Sequence, residues 1–312
     1  MWYLHGVPRA YLTVTIDTEC DKGKGWRVEK PLAFHGVTCG VRERLEPLFA
    51  SYGSKGTYLV SGEVLADDAS VETLRRAKAD LGSHLHGEMV PPEAFVPNVT
   101  EAFQRDYSEE LERAKLTSLT GSFRAAFGRA PTSFRAGRFG VGKASLSILA
   151  SLGYEVESSV TPHMDWSDVG AKGLTFVGAP TQPYHPDWHS PGTRGDCPLW
   201  EVPVTIRRGW KNRVPFLGSR FDPRWLRPTR ASGSALVALA REEILEASRG
   251  PCLPVLTCMF HNVEIVEGKS PYSATPAEAH RILGALAELL AFARREDVAV
   301  IGLSDVPGVL ER

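Results

Sequence analysis

The feature that most constrains the fold of this chain is a regular alternation of apolar, strand-like runs with segments that have helical spacing. Eight runs rich in β-branched and other apolar residues cover 11–17, 56–60, 80–84, 132–136, 154–160, 199–206, 254–261 and 298–303. Several are continuously apolar, which is typical of strands buried on both faces. The pattern predicts an α/β fold of parallel strands with right-handed crossovers, either closed as a barrel or open as a doubly wound sheet.

Two of the intervening segments show the helical period clearly. Apolar residues recur at positions 41, 45, 48, 49 and 52, and again at 282, 283, 286, 289 and 290, so that each set covers one face of a helix. The second helix also has a start signal, because Thr275, Pro276 and Glu278 match a capping box with proline at the first helical position. We therefore expect a helix and a strand over 275–305 that complete the fold.

The composition bounds the class of protein and its partners. The chain has 312 residues, 43% of them hydrophobic, which excludes disordered, collagenous and fibrous classes. The length allows two domains at ~150 residues each, but an α/β barrel of ~250 residues forms one. We expect a single domain over 1–312, with a motif-bearing core at about 11–272. A net charge of −1 gives no general attraction to phosphate, so we expect no nucleic-acid partner.

Cysteine usage and hydropathy bear on cofactor and compartment. The five cysteines are odd in number and none has CxxC spacing, so neither a disulfide framework nor a thiolate zinc site is expected. No run approaches the ~18 apolar residues of a membrane helix. The first residues lack a basic segment followed by an apolar one. We expect no stable membrane insertion and a cytoplasmic location.

Side chains capable of chemistry follow one strand-like run after another. They are Asp17 and Glu19, His84 and His86, Arg135, Glu157, and His261. In an α/β barrel the carboxyl ends of all strands open on one face, so these residues would meet although long stretches of sequence separate them. The long segments 161–198 and 207–228 would frame that face as loops. The convergence predicts an enzyme.

The first and third runs end in groups that suit a metal ion. The carboxylates of Asp17 and Glu19 repel each other, so we expect one to bind a cation and the other to accept a proton, although a turn cap is the simpler alternative for either. His84 and His86 would share one face of an extended strand, whereas a turn would pair His84 with Glu88. A site of nitrogen and oxygen ligands suits Zn²⁺, with Co²⁺, Ni²⁺ or Mn²⁺ as alternatives.

The remaining candidates are predicted to bind substrate or to orient other groups. Arg135 and Arg138 are interpreted as a carboxylate partner and a substrate contact. Trp166 would cover a sugar ring while Asp165 orients a histidine. Three further residues complete the predicted substrate surface, namely Phe139, Glu157 and Asn262.

Five segments in order, TIDTE, GSHLHGE, FRAGRFG, TPHMDW and MFHN, resemble the five motifs of the polysaccharide deacetylases, also called NodB-homology or carbohydrate esterase family 4 enzymes. The likeness is to the WalW-like branch and extends over about 12–272. The resemblance implies a distorted (β/α)7 barrel with long loops at the carboxyl-end face. It further implies hydrolysis of the N-acetyl group of an amino sugar, with a divalent metal held by a carboxylate and two histidines.

The resemblance also implies a role for each matched residue. Asp17 would be the general base, and Glu19 and His84 would be metal ligands. Arg135 would tether the base, and His261 would be the general acid. Two residues of the fourth motif, Asp165 and Trp166, would support the acid and line the groove, and a backbone N–H near Arg138 or Phe139 would bind the oxyanion.

The chain departs from the family pattern at two positions. Thr18 separates two acids that are usually adjacent, and Glu88 stands where the second metal-binding histidine is usual. The third ligand is therefore either His86 or Glu88. If neither reaches the metal, a metal-free amidohydrolase or a sugar-binding protein is the alternative. A glycosidase that uses Asp17 and Glu157 as paired carboxylates is a further alternative.

Overall fold

A computed structural model of the chain describes residues 8–23, 25–92, 103–167, 170–208 and 223–311. The strands are β1 (Ala10–Thr18), β2 (Thr57–Ser61), β3 (Asp80–Leu85), β4 (Ser133–Ala136), β5 (Val156–Glu157), β6 (Pro186–Asp187), β7 (Ser190–Arg194), β8 (Trp200–Glu201), β9 (Ile206–Arg207), β10 (Arg224–Trp225), β11 (Val255–His261) and β12 (Val298–Ile301). The α-helices are α1 (Glu46–Ser51), α2 (Gly62–Leu65), α3 (Asp68–Arg76), α4 (Glu109–Phe127), α5 (Ser145–Ser151), α6 (Gly233–Ala247), α7 (Pro276–Arg295) and α8 (Val306–Leu310). A π-helix covers Gly36–Leu45, and 3₁₀ turns cover Gly87–Met89, Gln104–Asp106, Gly137–Phe139, Asn262–Ile265 and Leu303–Asp305.

One parallel sheet organises the molecule. Its strands run in the order β11-β1-β2-β3-β4-β5-β8, and β12 pairs with the amino-terminal half of β1. Each of the eight predicted runs contains one of these strands. Beyond the edge strand β8, the backbone N–H of Thr205 donates to the carbonyl of Thr257 on β11 at 3.0 Å, so the two edges of the sheet meet there. The expected α/β fold, a distorted (β/α)7 barrel, is confirmed.

The buried apolar side chains show how the sheet curls. Tyr11, Leu59, Val156 and Val255 come from four different strands, yet they belong to one buried cluster together with Leu303. Side chains of distant strands can meet in this way only on the inside of a curved sheet. Each fully buried apolar side chain of this size contributes roughly 1.5–3 kcal/mol. The cluster fills the amino-terminal end of the barrel, which leaves the carboxyl ends of the strands for the site.

The helical segment predicted from positions 41–52 begins with an unusually close contact. The π-helix packs on the 3₁₀ turn Asn262–Ile265, where a Cβ on Gly36 would lie 2.6 Å from Nδ2 of Asn262. A Cβ on Gly40 would lie 2.9 Å from Cδ1 of Ile265. Because only glycine permits this approach, the first helix holds the turn that follows β11 in place.

The predicted start of the second helix is confirmed. Thr275 Oγ1 accepts a hydrogen bond from the backbone N–H of Glu278, whose carboxylate in turn accepts from the backbone N–H of Thr275 at 2.9 Å. This capping box starts α7 at Pro276. All five cysteines are unpaired, as expected. Within the described ranges, none of the helices combines the length and the apolarity needed to cross a bilayer.

The two long segments are only partly ordered into strands. The first, 161–198, contains the antiparallel pair of β6 and β7, and the second contains the pair of β9 and β10. Residues 209–222 of the second segment lie outside the described residues.

Candidate active site

The sheet brings the strand-end residues together at one end of the barrel. Asp17 on β1 and His261 on β11 are register partners, and so are His84 on β3 and Arg135 on β4. Because all four lie at the carboxyl ends of parallel strands, they face the same end of the barrel. The residues that the sequence analysis selected from distant positions therefore share one site.

Asp17 is a buried, ionised carboxylate. One of its oxygens is bound by Arg135, and the other faces His261. Its Oδ1 accepts a hydrogen bond of 2.8 Å from Nη1 of Arg135, whose Nε donates to the carbonyl of Ser158 at 2.7 Å. Burial raises the pKa of Asp17, but Arg135 and the neighbouring His84 and His261 together outweigh this and lower it below its ordinary value. Oδ2 lies 3.9 Å from Nε2 of His261. The arrangement suits a proton acceptor.

Glu19 and two histidines converge on one point beside Asp17. Oε1 of Glu19 lies 3.2 Å from Nε2 of His84 and 3.0 Å from Nε2 of His86. In the part of the chain that the structure describes, this is the group of three side chains that could hold a metal ion. Asn262 fixes the backbone of Glu19. Its side-chain oxygen accepts a 2.9 Å hydrogen bond from the N–H of Glu19, and its Nδ2 donates one of 2.9 Å to the carbonyl of Glu19.

The hydrogen bonds around His84 indicate what belongs at this point. Nδ1 of His84 lies 2.9 Å from the carbonyl of Arg135, and since a carbonyl can only accept, Nδ1 carries the proton. In the neutral ring, Nε2 then presents a lone pair to the carboxylate oxygen of Glu19. Two acceptors this close repel unless a proton or a cation lies between them. One carboxylate oxygen and two imidazole nitrogens are ligands that Zn²⁺ prefers, so the residues fit a divalent ion.

The two candidates for the third ligand occupy different places. His86 directs Nε2 at Glu19, whereas Oε1 of Glu88 accepts a 2.6 Å hydrogen bond from Nη2 of Arg138 and lies 3.4 Å from Nδ1 of His86. Although burial lowers the pKa of His86, the carboxylates of Glu19 and Glu88 raise it to about 9. The geometry therefore favours His86 as the ligand, with the Glu88 carboxylate 3.4 Å from its other nitrogen.

A buried lysine that the sequence analysis did not select completes the surroundings of Glu19. Nζ of Lys22 lies 2.7 Å from Oε2 of Glu19, and only 6% of Lys22 is exposed. Burial lowers the pKa of Lys22, but Glu19, Cys20 and Glu63 together outweigh this and raise it. The one signal in the sequence was the spacing of three residues between the acid and the lysine.

His261 is oriented by a carboxylate that the sequence analysis also missed. Nδ1 of His261 lies 2.9 Å from Oε1 of Glu264, which is fully buried and also accepts hydrogen bonds from Arg227 and Thr229. Burial raises the pKa of Glu264, but Arg227 and His261 lower it to about 2. A glutamate three residues after a histidine, across the turn that follows β11, was the available signal. Arg227 had none.

The fourth motif splits into two residues with different surroundings. Asp165 is exposed and accepts a 2.9 Å hydrogen bond from the backbone N–H of Ser167, and none of the described residues links it to His261. Trp166 instead packs at the site, where its ring stacks on Phe139 with the centroids 5.4 Å apart. Trp225, which the sequence analysis did not select, lies 5.9 Å from Phe139 and closes this aromatic wall.

Arg138 and Phe139 have a backbone conformation that is rare for their residue types. Their φ angles are 54° and 56°, in the left-handed region, which costs roughly 1–2 kcal/mol per residue for side chains with a Cβ. Such strain is typical of functional sites. Gly137 precedes them because a Cβ there would lie 2.6 Å from the carbonyl of Leu85.

A second aromatic group lies against His261. The indole of Trp26 meets the imidazole of His261 edge to face at 4.8 Å, and Tyr272 lies 5.5 Å from Trp26. Trp26 follows β1 in a loop that the sequence analysis did not connect with the site. Trp26 thus gives His261 an aromatic neighbour, which offers an apolar face to a ring-shaped ligand at the site.

Glu157 lies apart from the other candidates. Its register partners are Phe134 on β4, a core residue, and Glu201 on β8, whereas its neighbour Ser158 contacts Arg135. Neighbouring strand residues point to opposite faces, so Glu157 points away from Asp17. Burial and the charge of Glu157 raise the pKa of Glu201 well above its ordinary value. The raised pKa favours a proton on this buried acid pair, and the carboxylate pair expected for a glycosidase is not formed.

Comparisons with known proteins bear on the fold. A Mycobacterium smegmatis protein assigned to the polysaccharide deacetylases superposes with a TM-score of 0.58 at 19% identity, over 99% of this chain and 93% of that one. Puue allantoinase superposes with a TM-score of 0.56 at 13% identity, over 97% and 90%. A GH57-type branching enzyme from Pyrococcus horikoshii gives 0.55 at 11% identity, over 96% and 70%. No family model and no curated protein matches the chain. The barrel is thus shared with enzymes of different reactions.

Proposed function

We propose that this chain is a hydrolase that removes the N-acetyl group of an amino sugar, giving a free amine and acetate. The reaction would use a divalent ion, for which we propose Zn²⁺. The observation that carries the proposal is the position of His261, whose Nε2 lies 3.9 Å from both Oδ2 of Asp17 and Oε1 of Glu19. A base, a candidate metal group and an acid therefore border one small space. The WalW-like branch of the polysaccharide deacetylases is the corresponding family proposal.

The proposed roles follow from the contacts of each side chain. Glu19, His84 and His86 would hold the ion, which supplies Lewis-acid activation of the amide carbonyl and the attacking water. Asp17 is held ionised by Arg135, and its Oδ2 accepts the proton of the water.

The acid step belongs to His261. With Nδ1 held by Glu264, its Nε2 donates a proton to the departing amine. Because an amine is a poor leaving group until it is protonated, this step is as necessary as the attack of water.

The substrate would lie against the two aromatic groups. The stacked pair of Phe139 and Trp166 offers an apolar face for a sugar ring, and the Arg138–Phe139 turn offers backbone N–H groups to the developing oxyanion. Because the side chain of Asp165 is exposed and accepts from Ser167, whereas Glu264 contacts Nδ1 of His261, we assign the support of His261 to Glu264.

The experiment is an assay of acetate release by metal-stripped protein before and after addition of Zn²⁺ or Co²⁺. The panel includes acetamido-sugar oligomers, nucleotide-linked acetamido sugars and acyclic amides. We expect release only with metal, and a loss of at least about 10²-fold in Asp17→Asn because general base catalysis contributes 10²–10⁴-fold. Release that is unaffected by chelator and by metal would contradict the metal-dependent reaction and support a metal-free amidohydrolase.

A further inference from the structure

Each carboxylate at the site already has a cation of its own. The pairs are Asp17 with Arg135 at 2.8 Å, Glu19 with Lys22 at 2.7 Å, Glu88 with Arg138 at 2.6 Å, and Glu264 with Arg227. The charges within these four pairs are therefore balanced before any metal ion binds. Because the attraction of a site for a cation depends on its uncompensated negative charge, such a site binds a divalent ion less strongly than its carboxylates alone would suggest.

Lys22 is the cation of this set that touches a proposed metal ligand. Its ammonium is bound to Oε2 of Glu19, while Oε1 faces the two histidines. The backbone of Lys22 is fixed as well, because its N–H donates to the carbonyl of Lys269 at 3.0 Å and it forms an antiparallel bridge with Val28. The lysine is therefore held against Glu19 by its main chain, and its reach does not depend on a flexible loop.

The two oxygens of Glu19 are thus divided between two partners. A carboxylate with one oxygen on an ammonium can offer a metal only the other oxygen. The fixed positive charge on the same carboxyl group also repels an incoming divalent ion. Both effects act on the ion directly, and neither involves the acid or the base of the reaction.

We propose that Lys22 is a positioning residue that makes Glu19 a one-oxygen ligand and keeps the affinity of the site for divalent ions low. This inference rests on the proposed function, because it requires that Glu19, His84 and His86 bind an ion. It predicts that this site exchanges its metal more readily than a site with an unpaired carboxylate.

The test is a titration of the metal-stripped full chain with Co²⁺ alone, followed by its visible absorption and by competition with a chelator. Lys22→Gln removes the charge but keeps a hydrogen-bond donor for Oε2, and Lys22→Met removes both. We expect both variants to bind Co²⁺ more tightly than the wild type, by about tenfold or more. Lys22→Arg keeps the charge, and its affinity should stay near that of the wild type.

The matched control is Lys269→Met, which removes a positive charge from the same region. Lys269 pairs with Asp21 at 3.5 Å and not with Glu19, so its loss should leave Co²⁺ affinity within about twofold of the wild type. Equal or weaker binding by a folded Lys22→Gln or Lys22→Met variant overturns the role of Lys22. Failure of every form, wild type included, to bind Co²⁺ contradicts the metal-dependent function itself.

Discussion

The substitution Glu264→Gln tests whether the carboxylate behind His261 supports the acid step. In the wild type, Oε1 of Glu264 accepts hydrogen bonds from both His261 and Arg227, and Oε2 accepts from Thr229. A glutamine can keep its oxygen at the first position and direct its amide at the hydroxyl of Thr229, which can also accept. The variant therefore removes the charge while it preserves the contacts.

The expected loss follows from the value of one charged hydrogen bond. A hydrogen bond to an ionised group contributes roughly 1.5–3 kcal/mol, against about 1 kcal/mol for a neutral one. The difference of about 1–2 kcal/mol acts when His261 carries its full charge, and 1.4 kcal/mol corresponds to a factor of ten. We expect kcat to fall by about 5- to 30-fold.

The assay measures acetate release across pH with Glu264→Gln and Asp165→Asn side by side. Asp165 is exposed, its backbone pairs with Thr175, and its side chain accepts from Ser167 among the described contacts, so its variant should keep a rate within about twofold of the wild type. The reasoning is refuted if Asp165→Asn loses activity while Glu264→Gln retains it. A kcat of Glu264→Gln within about twofold of the wild type would likewise leave the carboxylate without the electrostatic role assigned to it.

Two further substitutions address the neighbouring acids. In Glu88→Gln the carboxylate next to Nδ1 of His86 is lost, so Zn²⁺ affinity measured with a competing chelator should fall by about tenfold; an unchanged affinity would contradict the supporting role. In Glu201→Gln the buried pair with Glu157 needs no shared proton. Because the raised pKa of Glu201 gives stability that is lost as the pH rises through it, the variant should unfold at a higher temperature than the wild type at mildly alkaline pH. Parallel losses in both proteins would count against the shared proton.

Much of the architecture follows from patterns that are local in the sequence. Every predicted apolar run contains a strand of the sheet, and the capping box at Thr275 starts α7 where expected. These features depend on neighbouring residues, because burial on both faces requires a continuous apolar run and a helix start requires a cap within one turn. The choice between a closed barrel and an open sheet depended on the family resemblance and on the curvature seen in the structure.

The strand-end residues were predictable for a topological reason. Asp17, Glu19, His84, Arg135 and His261 each follow or end a buried run, and parallel strands bring such positions to one face whatever the intervening loops do. The sequence could therefore group them without any knowledge of distances. Their roles in the reaction stay predictions that the assays above decide.

The partners of these residues were decided by tertiary structure. Nothing in the local pattern distinguished Glu88 from His86, and only the position of Arg138 draws the glutamate away from Glu19. Asn262 directly follows β11, as a substrate contact would, yet its amide is buried against the backbone of Glu19.

The same dependence on tertiary packing explains why the sequence did not point to Glu264 as the residue that contacts His261. Asp165 was predicted to orient a histidine, but the loop around it keeps it exposed, and the turn after β11 brings Glu264 to His261 instead. A sequence determines which side chains stand at the end of a strand, because the apolar run that marks the strand consists of neighbouring residues. Which side chain meets which depends on how separate segments pack in three dimensions, and the order of residues alone does not contain those distances.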